Sequence, residues 1–148
     1  MVDIFLSLLK FMSLKLQDHD YEALAAFRYA MRKFLRFSKD ELAAHADLTP
    51  EQYEALLAIR AFSPKRGLTI GELSERLQVK HHTAISLVDR LTDRNLIVRR
   101  PSREDRRVVC VQLTRQGRGL LASVAAIHRM EMKARSPEMI EALERLRS

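Results

Sequence analysis

TIGELSERLQVKHHTAISLVDRLTDRNLIVRRPSREDRRVVCVQL, residues 69–113, is the stretch on which the fold turns. Thr69-Ile70-Gly71-Glu72 has the spacing of a capping box, with Thr69 capping a helix and Glu72 reaching back. Ile70, Leu73 and Leu77 give that short helix one apolar face. Gln78-Val79-Lys80 reads as a three-residue turn. A second helix is expected from about His81 to Arg94, with Ile85, Val88 and Leu91 facing inward. Asn95 tolerates the left-handed backbone of a helix end. Leu96-Ile97-Val98-Arg99-Arg100 and Arg107–Leu113 then read as two strands joined by a polar turn. Two helices crossing at a short turn form a helix-turn-helix, whose second helix enters the DNA major groove.

The rest of the chain brackets this unit. With 148 residues, 47% hydrophobic and 30% charged, it has the length and composition of one globular domain with a real core. Four glycines and four prolines leave little for long loops, which favours a mostly helical chain. Cys110 is the only cysteine, so no internal disulfide forms. Placed between Val109 and Val111 on a strand, it reads as a small buried hydrophobe.

Net charge is +7, and its distribution carries more than its total. From Arg94 to Arg118 eight arginines face only Glu104 and Asp105, which gives that stretch +6. A basic patch confined to one element is the electrostatic footprint of a polyanion partner.

Before the central stretch, residues 1–16 are apolar with two lysines. They are too short for a membrane span and lack the charge pattern of a signal peptide. Three readings stay open: a first helix that packs on a partner helix, an amphipathic anchor, or a true start at Met12. From Asp18 to Arg36, Leu24, Phe27, Met31 and Phe34 recur at helical spacing. Ser38-Lys39-Asp40-Glu41 resembles another capping box and predicts a break or bend before the helix continues to His45. Thr49-Pro50-Glu51-Gln52 opens a helix running to about Phe62. Ser63–Gly67 reads as a loop. After Leu113, Thr114 caps a long helix to about Arg135, and Ser136-Pro137-Glu138 predicts the start of a separate last helix.

The fold class expected is mostly α with a small β-hairpin: a winged helix-turn-helix flanked by N- and C-terminal dimerisation helices. Residues 1–148 form a single domain in this reading. Residues 49–114 are the DNA-binding lobe, and residues 1–47 and 115–148 supply the dimer. Apolar stripes on the terminal helices need a second chain to bury against, hence the expectation of a two-fold homodimer.

In this order and spacing the residues resemble the MarR family of winged-helix transcriptional regulators, from about Tyr21 to Ser148. The resemblance rests on Leu87-Val88-Asp89-Arg90-Leu91, on Asp105-Arg106-Arg107, on Leu113-Thr114 with Gly117, and on Thr49-Pro50. It implies a dimer that binds a palindromic operator, usually as a repressor, and that releases DNA on binding a small, often aromatic, acid. Eleven N-terminal residues precede the family pattern, and the C-terminal part is short.

Candidate base readers stand at the start of the second helix of the motif. They are Lys80, His81, His82 and Thr83, with Ser86 and Arg90 further along the same side. On the wing, Arg103, Arg106 and Arg107 suit a narrow A·T-rich minor groove, and the resemblance places Arg107 at that contact. Asp105 is read as the ion-pair partner that orients a wing arginine, against the alternative of a surface pair worth under ~1 kcal/mol. Phe27, Tyr29, Met31, Arg32 and Tyr53 are candidate lining residues of an effector pocket, although core packing also suits Phe27 and Met31. His19, His45 and His128 read as structural or solvated.

No metal-ligand cluster, phosphate-cradling glycine loop or nucleophile–base pair stands out, so neither an enzyme, a metal nor a cofactor is expected. The expected partners are double-stranded DNA, a second copy of the chain and a small-molecule effector. Localisation is expected to be cytoplasmic, with no stable membrane association. The alternative is a peripheral membrane or protein-interaction module that uses the apolar N-terminal segment.

Overall fold

A computed structural model of the protein describes residues 2–11, 15–62 and 65–148. Met12, the alternative start, and Ser63-Pro64, the first residues of the expected loop, lie outside the described residues. The order of elements is α1 (Val2–Phe11), α2 (Asp18–His45), α3 (Pro50–Phe62), β1 (Leu68–Thr69), α4 (Ile70–Leu77), α5 (His81–Asp93), β2 (Ile97–Pro101), β3 (Val109–Leu113) and α6 (Arg115–Arg147). No helix among the described residues is long and apolar enough to cross a membrane.

The chain divides into two compact units. The larger, Leu35–Glu131, holds the winged helix-turn-helix. Its core gathers Leu42 and Leu48, Leu56 and Ile59 of α3, Leu73 of α4, Val88 and Leu91 of α5, Ile97 and Val111 of the sheet, and Leu121 and Val124 of α6. Ile70 and Leu77 pack against it, so the apolar face expected for α4 is used as expected.

Local chemistry sets most boundaries here. At α3, Gln52 N donates to Thr49 Oγ1 at 3.2 Å and Thr49 N donates to Gln52 Oε1 at 3.1 Å, a reciprocal capping box. At α4, Glu72 N donates to Thr69 Oγ1 at 3.1 Å. The Glu72 carboxylate does not complete the box: it accepts from the Thr69 hydroxyl and from Arg66. Asn95 adopts φ 57° and closes the exit from α5 as expected. Gly117 N donates to Thr114 Oγ1 at 3.0 Å, so Thr114 does cap α6.

The sheet is antiparallel with order β1-β3-β2. The hairpin was expected; the third strand was not. β1 is two residues long and exists through its pairing of Leu68 with Val111 and Thr69 with Cys110. Gly67, at φ +85°, leads into it and passes close to Val111 O, where a Cβ would sit 2.5 Å from that oxygen. The returning strand begins at Val109 rather than Arg107, because Val108 N turns back to Asp105 O at 3.0 Å and closes the tip.

Two expected helix boundaries are corrected. α2 runs unbroken through Ser38-Lys39-Asp40-Glu41. Ser38 is buried and its hydroxyl bonds His128 Nε2 at 2.7 Å instead of capping a helix. Because His128 Nδ1 lies 2.7 Å from the Val124 carbonyl, Nδ1 is the donor there and Nε2 accepts from Ser38. α6 likewise continues through Ser136-Pro137-Glu138. Proline cannot donate to the carbonyl four residues back, Lys133 O, and the Ser136 hydroxyl donates to that oxygen instead, at 3.0 Å. The substitute donor keeps the helix intact to Arg147.

The smaller unit comprises the described residues up to Phe34 and those from Met132 onward. Ala23, Ala30 and Ala142 are buried, and Lys33 Nζ meets Glu138 Oε1 at 2.9 Å. Around them Tyr21, Leu24, Tyr29, Ile140 and Leu143 are exposed, as are Ile4, Phe5, Leu6, Leu8 and Leu9 of α1.

Candidate nucleic-acid interface

The helix α5 is amphipathic, with Ala84, Leu87, Val88 and Leu91 buried and the other side open. His81, His82, Ser86 and Arg90 are exposed and Thr83 is half-buried. Lys80 sits at the N-cap, where its backbone carbonyl accepts from Thr83 N at 3.0 Å and Ala84 N at 3.1 Å, while its side chain makes no capping bond. Among the described residues, no hydrogen bond or ion pair engages the side chains of His81, His82, Ser86 or Arg90. The first turn of α5 contains no acidic residue, so the partial positive charge of the helix N-terminus adds to Lys80.

Ile85 is a correction. It was expected to face inward, but it is 39% exposed, and Ala84 takes the buried position. The helix is phased by Ala84, Leu87, Val88 and Leu91, which leaves Ile85 on the side carrying His82 and Ser86. An apolar side chain there is suited to a thymine methyl group. Its signal in the sequence is hidden, because isoleucine scores as core and alanine does not.

A second residue outside the expected set ties the two halves together. Asp89, exposed on α5, forms a close ion pair with Arg99 of β2, and Arg99 NH1 also reaches Thr92 Oγ1 at 3.5 Å. This fixes the helix against the base of the wing. Arg94 has an internal task as well, donating to Ala46 O at 2.9 Å and Asp47 O at 2.5 Å beyond the end of α2. Arg118 donates to Leu113 O at 3.1 Å. The basic run therefore divides between structural clamps and free cations, a division that counting charges does not reveal.

At the tip, Asp105 grips Arg107 as expected. Arg107 N donates to Asp105 Oδ1 at 3.0 Å, Nε to the same oxygen at 3.2 Å, and NH2 to Oδ2 at 3.3 Å. These bonds hold the Asp105 carboxyl below its usual pKa, with the side-chain bond the largest cause. The Arg107 side chain remains 91% exposed, so it is aimed but not covered. Arg103 and Arg106 are exposed on the same tip.

The candidate effector residues do not form one described cluster. Phe27, Tyr29, Met31 and Arg32 lie on α2 in the smaller unit, and Tyr53 lies on α3 in the larger. Phe27 and Met31 are half-buried, whereas Tyr29 and Arg32 are exposed, with Lys33 Nζ 4.5 Å from the centre of the Tyr29 ring. Tyr53 is buried and stacks on His128 at 4.6 Å, and burial raises its phenol pKa. Among the described residues, no group of three histidine, cysteine, aspartate or glutamate side chains is placed to hold a metal ion. Cys110 is buried, as its strand position implied.

Residues 46–108 match the model of the MarR family. Over 71 residues the chain is 37% identical to the HTH-type transcriptional repressor MdtR of Bacillus subtilis (strain 168). That match covers 47% of this chain and 43% of the relative, so the chain spans less than half the length of that curated protein. The solved structure of an S. aureus MepR–DNA complex superposes with a TM-score of 0.60 at 26% identity, covering 79% of this chain and 97% of that one. The regulator BldR from Sulfolobus solfataricus shares the fold, with a TM-score of 0.64 at 21% identity and coverage of 88% and 97%.

Proposed function

We propose that this chain, whose residues 46–108 carry the winged helix of MarR-family transcriptional regulators, is a sequence-specific double-stranded DNA-binding repressor. One observation carries the reading most strongly: an outward side of α5 with unspent donors, tied through Asp89 and Arg99 to a wing whose Arg107 is aimed by its own carboxylate. In this reading Lys80, His81, His82, Thr83, Ser86 and Arg90, joined by Ile85, meet the major groove. Arg103, Arg106 and Arg107 meet the flanking minor groove, with Asp105 setting the direction of Arg107. The MepR–DNA complex, a relative in fold and in part in sequence, supports DNA as the partner.

The repressor acts as a cytoplasmic homodimer on a palindromic operator. Exposed apolar side chains on α1, α2 and α6 supply the surface that a second copy would cover. A small organic acid releases the repressor from its operator, with Phe27, Tyr29, Met31 and Arg32 of α2 as the candidate contacts in the smaller unit and Tyr53 of α3 as the candidate in the larger. That part rests on the family resemblance alone.

Selection of bound sequences from random duplex DNA tests the reading. The expected result is a palindrome with half-sites about one turn, ~34–36 Å, apart. No enrichment at moderate salt contradicts it. The exposed apolar residues described on α1 favour one rival, a membrane- or protein-docking segment. Co-sedimentation with liposomes that disappears on deleting residues 1–11 is the result that rival requires.

A further inference from the structure

The sheet of the wing has a second side, where Lys65, Arg66 and Arg100 carry charge that the reading above does not use. Register pairs Val98 with Gln112 and Arg100 with Cys110, so Arg100 and Gln112 share one side of the sheet. Arg99, one residue away, lies on the opposite side and meets Asp89. On the Arg100 side a cleft of about 490 Å³ opens, built from parts distant in the sequence. Lys65 and Arg66 come from the turn before β1, Arg100 from β2, Arg103 and Glu104 from the start of the tip, and Gln112 from β3.

The turn is pinned in place. Gln112 Nε2 donates to Lys65 O at 2.9 Å and Arg66 O at 3.1 Å, which holds both residues against the sheet. Four cations thus surround one concavity that holds a single carboxylate, Glu104. Glu72 engages Arg66 at 2.7 Å. Lys65, Arg100 and Arg103 form no ion pair with a described carboxylate. Like charges gathered around a concavity repel one another and focus a positive potential into it, and an anion relieves both effects. Guanidinium groups match the oxygens of phosphate in particular.

We propose that this cleft is a phosphate-binding site, distinct from the reading side of α5 and sharing only Arg103 with the tip that carries Arg107, and that it seats a backbone phosphate of bound DNA. Only the source of the phosphate rests on the proposed function; the site itself does not. A phosphate seated there anchors the base of the wing while Arg107 probes a groove, which restricts the wing to one approach angle.

The test uses the full chain and the double variant Lys65→Ala, Arg100→Ala, both positions exposed on the surface. Inorganic phosphate is titrated into the DNA-free protein, with the arginine Nε–H signals followed by NMR. Saturable binding is expected in the wild type and at least tenfold weaker binding in the double variant. In parallel, duplex affinity is measured against salt. Removing one protein–phosphate interaction lowers the slope by about 0.9, so a fall of about one to two units is expected. Phosphate binding with an unchanged slope keeps the site but assigns it to a free phosphate-bearing molecule. Absence of saturable phosphate binding together with an unchanged slope overturns the proposal. A wild type that binds no duplex at any salt sinks the proposed function, and the phosphate titration then decides the cleft alone.

Discussion

The exposed side of α5 and the tip of the wing are built on opposite plans. On α5 the exposed side chains of His81, His82, Ser86 and Arg90 have no described partner, and the helix beneath them is fixed by four buried residues. At the tip the backbone is a turn, and order comes instead from Asp105 holding Arg107 through three hydrogen bonds. The difference suits the two tasks proposed for these regions. Base edges vary, so their readers need unspent donors on a rigid support. A narrow minor groove offers one kind of potential, so its probe benefits from being aimed in advance. The Asp89–Arg99 pair joins the two, tying the support of one to the root of the other.

The largest effect should come from a change that both regions share. A Cβ at Gly117 would overlap Leu96 O, in the turn that links α5 to β2. Gly117→Ala should therefore destabilise the lobe by about 2–3 kcal/mol, lowering Tm by roughly 5–10 °C. Thermal unfolding followed by circular dichroism checks this. A Tm within a degree of wild type would mean that α6 shifts freely against this turn and that the support is softer than described.

Next in size, Arg107→Ala should weaken binding to specific and random duplexes alike by about 2 kcal/mol, with a salt slope lower by about one unit. Fluorescence anisotropy at several salt concentrations reads both quantities. Loss confined to one sequence would give the wing a reading role and erase the contrast with α5.

The smallest effect concerns pH. Asp105 has its pKa lowered by Arg107, so it is the charged form that the wing stabilises. For a depressed carboxylate that order is present above the ordinary aspartate value, ~3.9, and is lost only as pH falls through the lowered value. The Arg107 Nε–H signal should thus stay constant from pH 8 to pH 5. A change inside that window would assign the hold on Arg107 to some other group.

Much of this is legible in the sequence because it is local. Thr69, Thr114 and Asn95 act within three residues of themselves, and the Asp105–Arg107 pair spans two. The mostly helical class and the hairpin follow from periodicity. What escapes is what depends on distant chain. β1 is a strand only because Val111 and Cys110 lie beside it. Ser38 resembles a cap because His128, its real partner, is 90 residues away. Ile85 reads as core because periodicity weighs how apolar each residue is, whereas burial on α5 is set by what packs beneath it. Pro137 reads as a start because the rescue by Ser136 requires knowing that the helix continues.

The central claim is that α5 reads base edges while the wing does not, and one comparison tests it most directly: the ratio of affinities for the selected operator and for a duplex with the same flanking sequence but scrambled α5 sites, measured for His82→Ala beside Arg107→Ala. The account predicts a ratio reduced by about tenfold, ~1.4 kcal/mol, in the His82 variant, within the ~1–3 kcal/mol of a base contact, and a ratio unchanged within twofold in the Arg107 variant. Equal weakening on both duplexes in the His82 variant would contradict it.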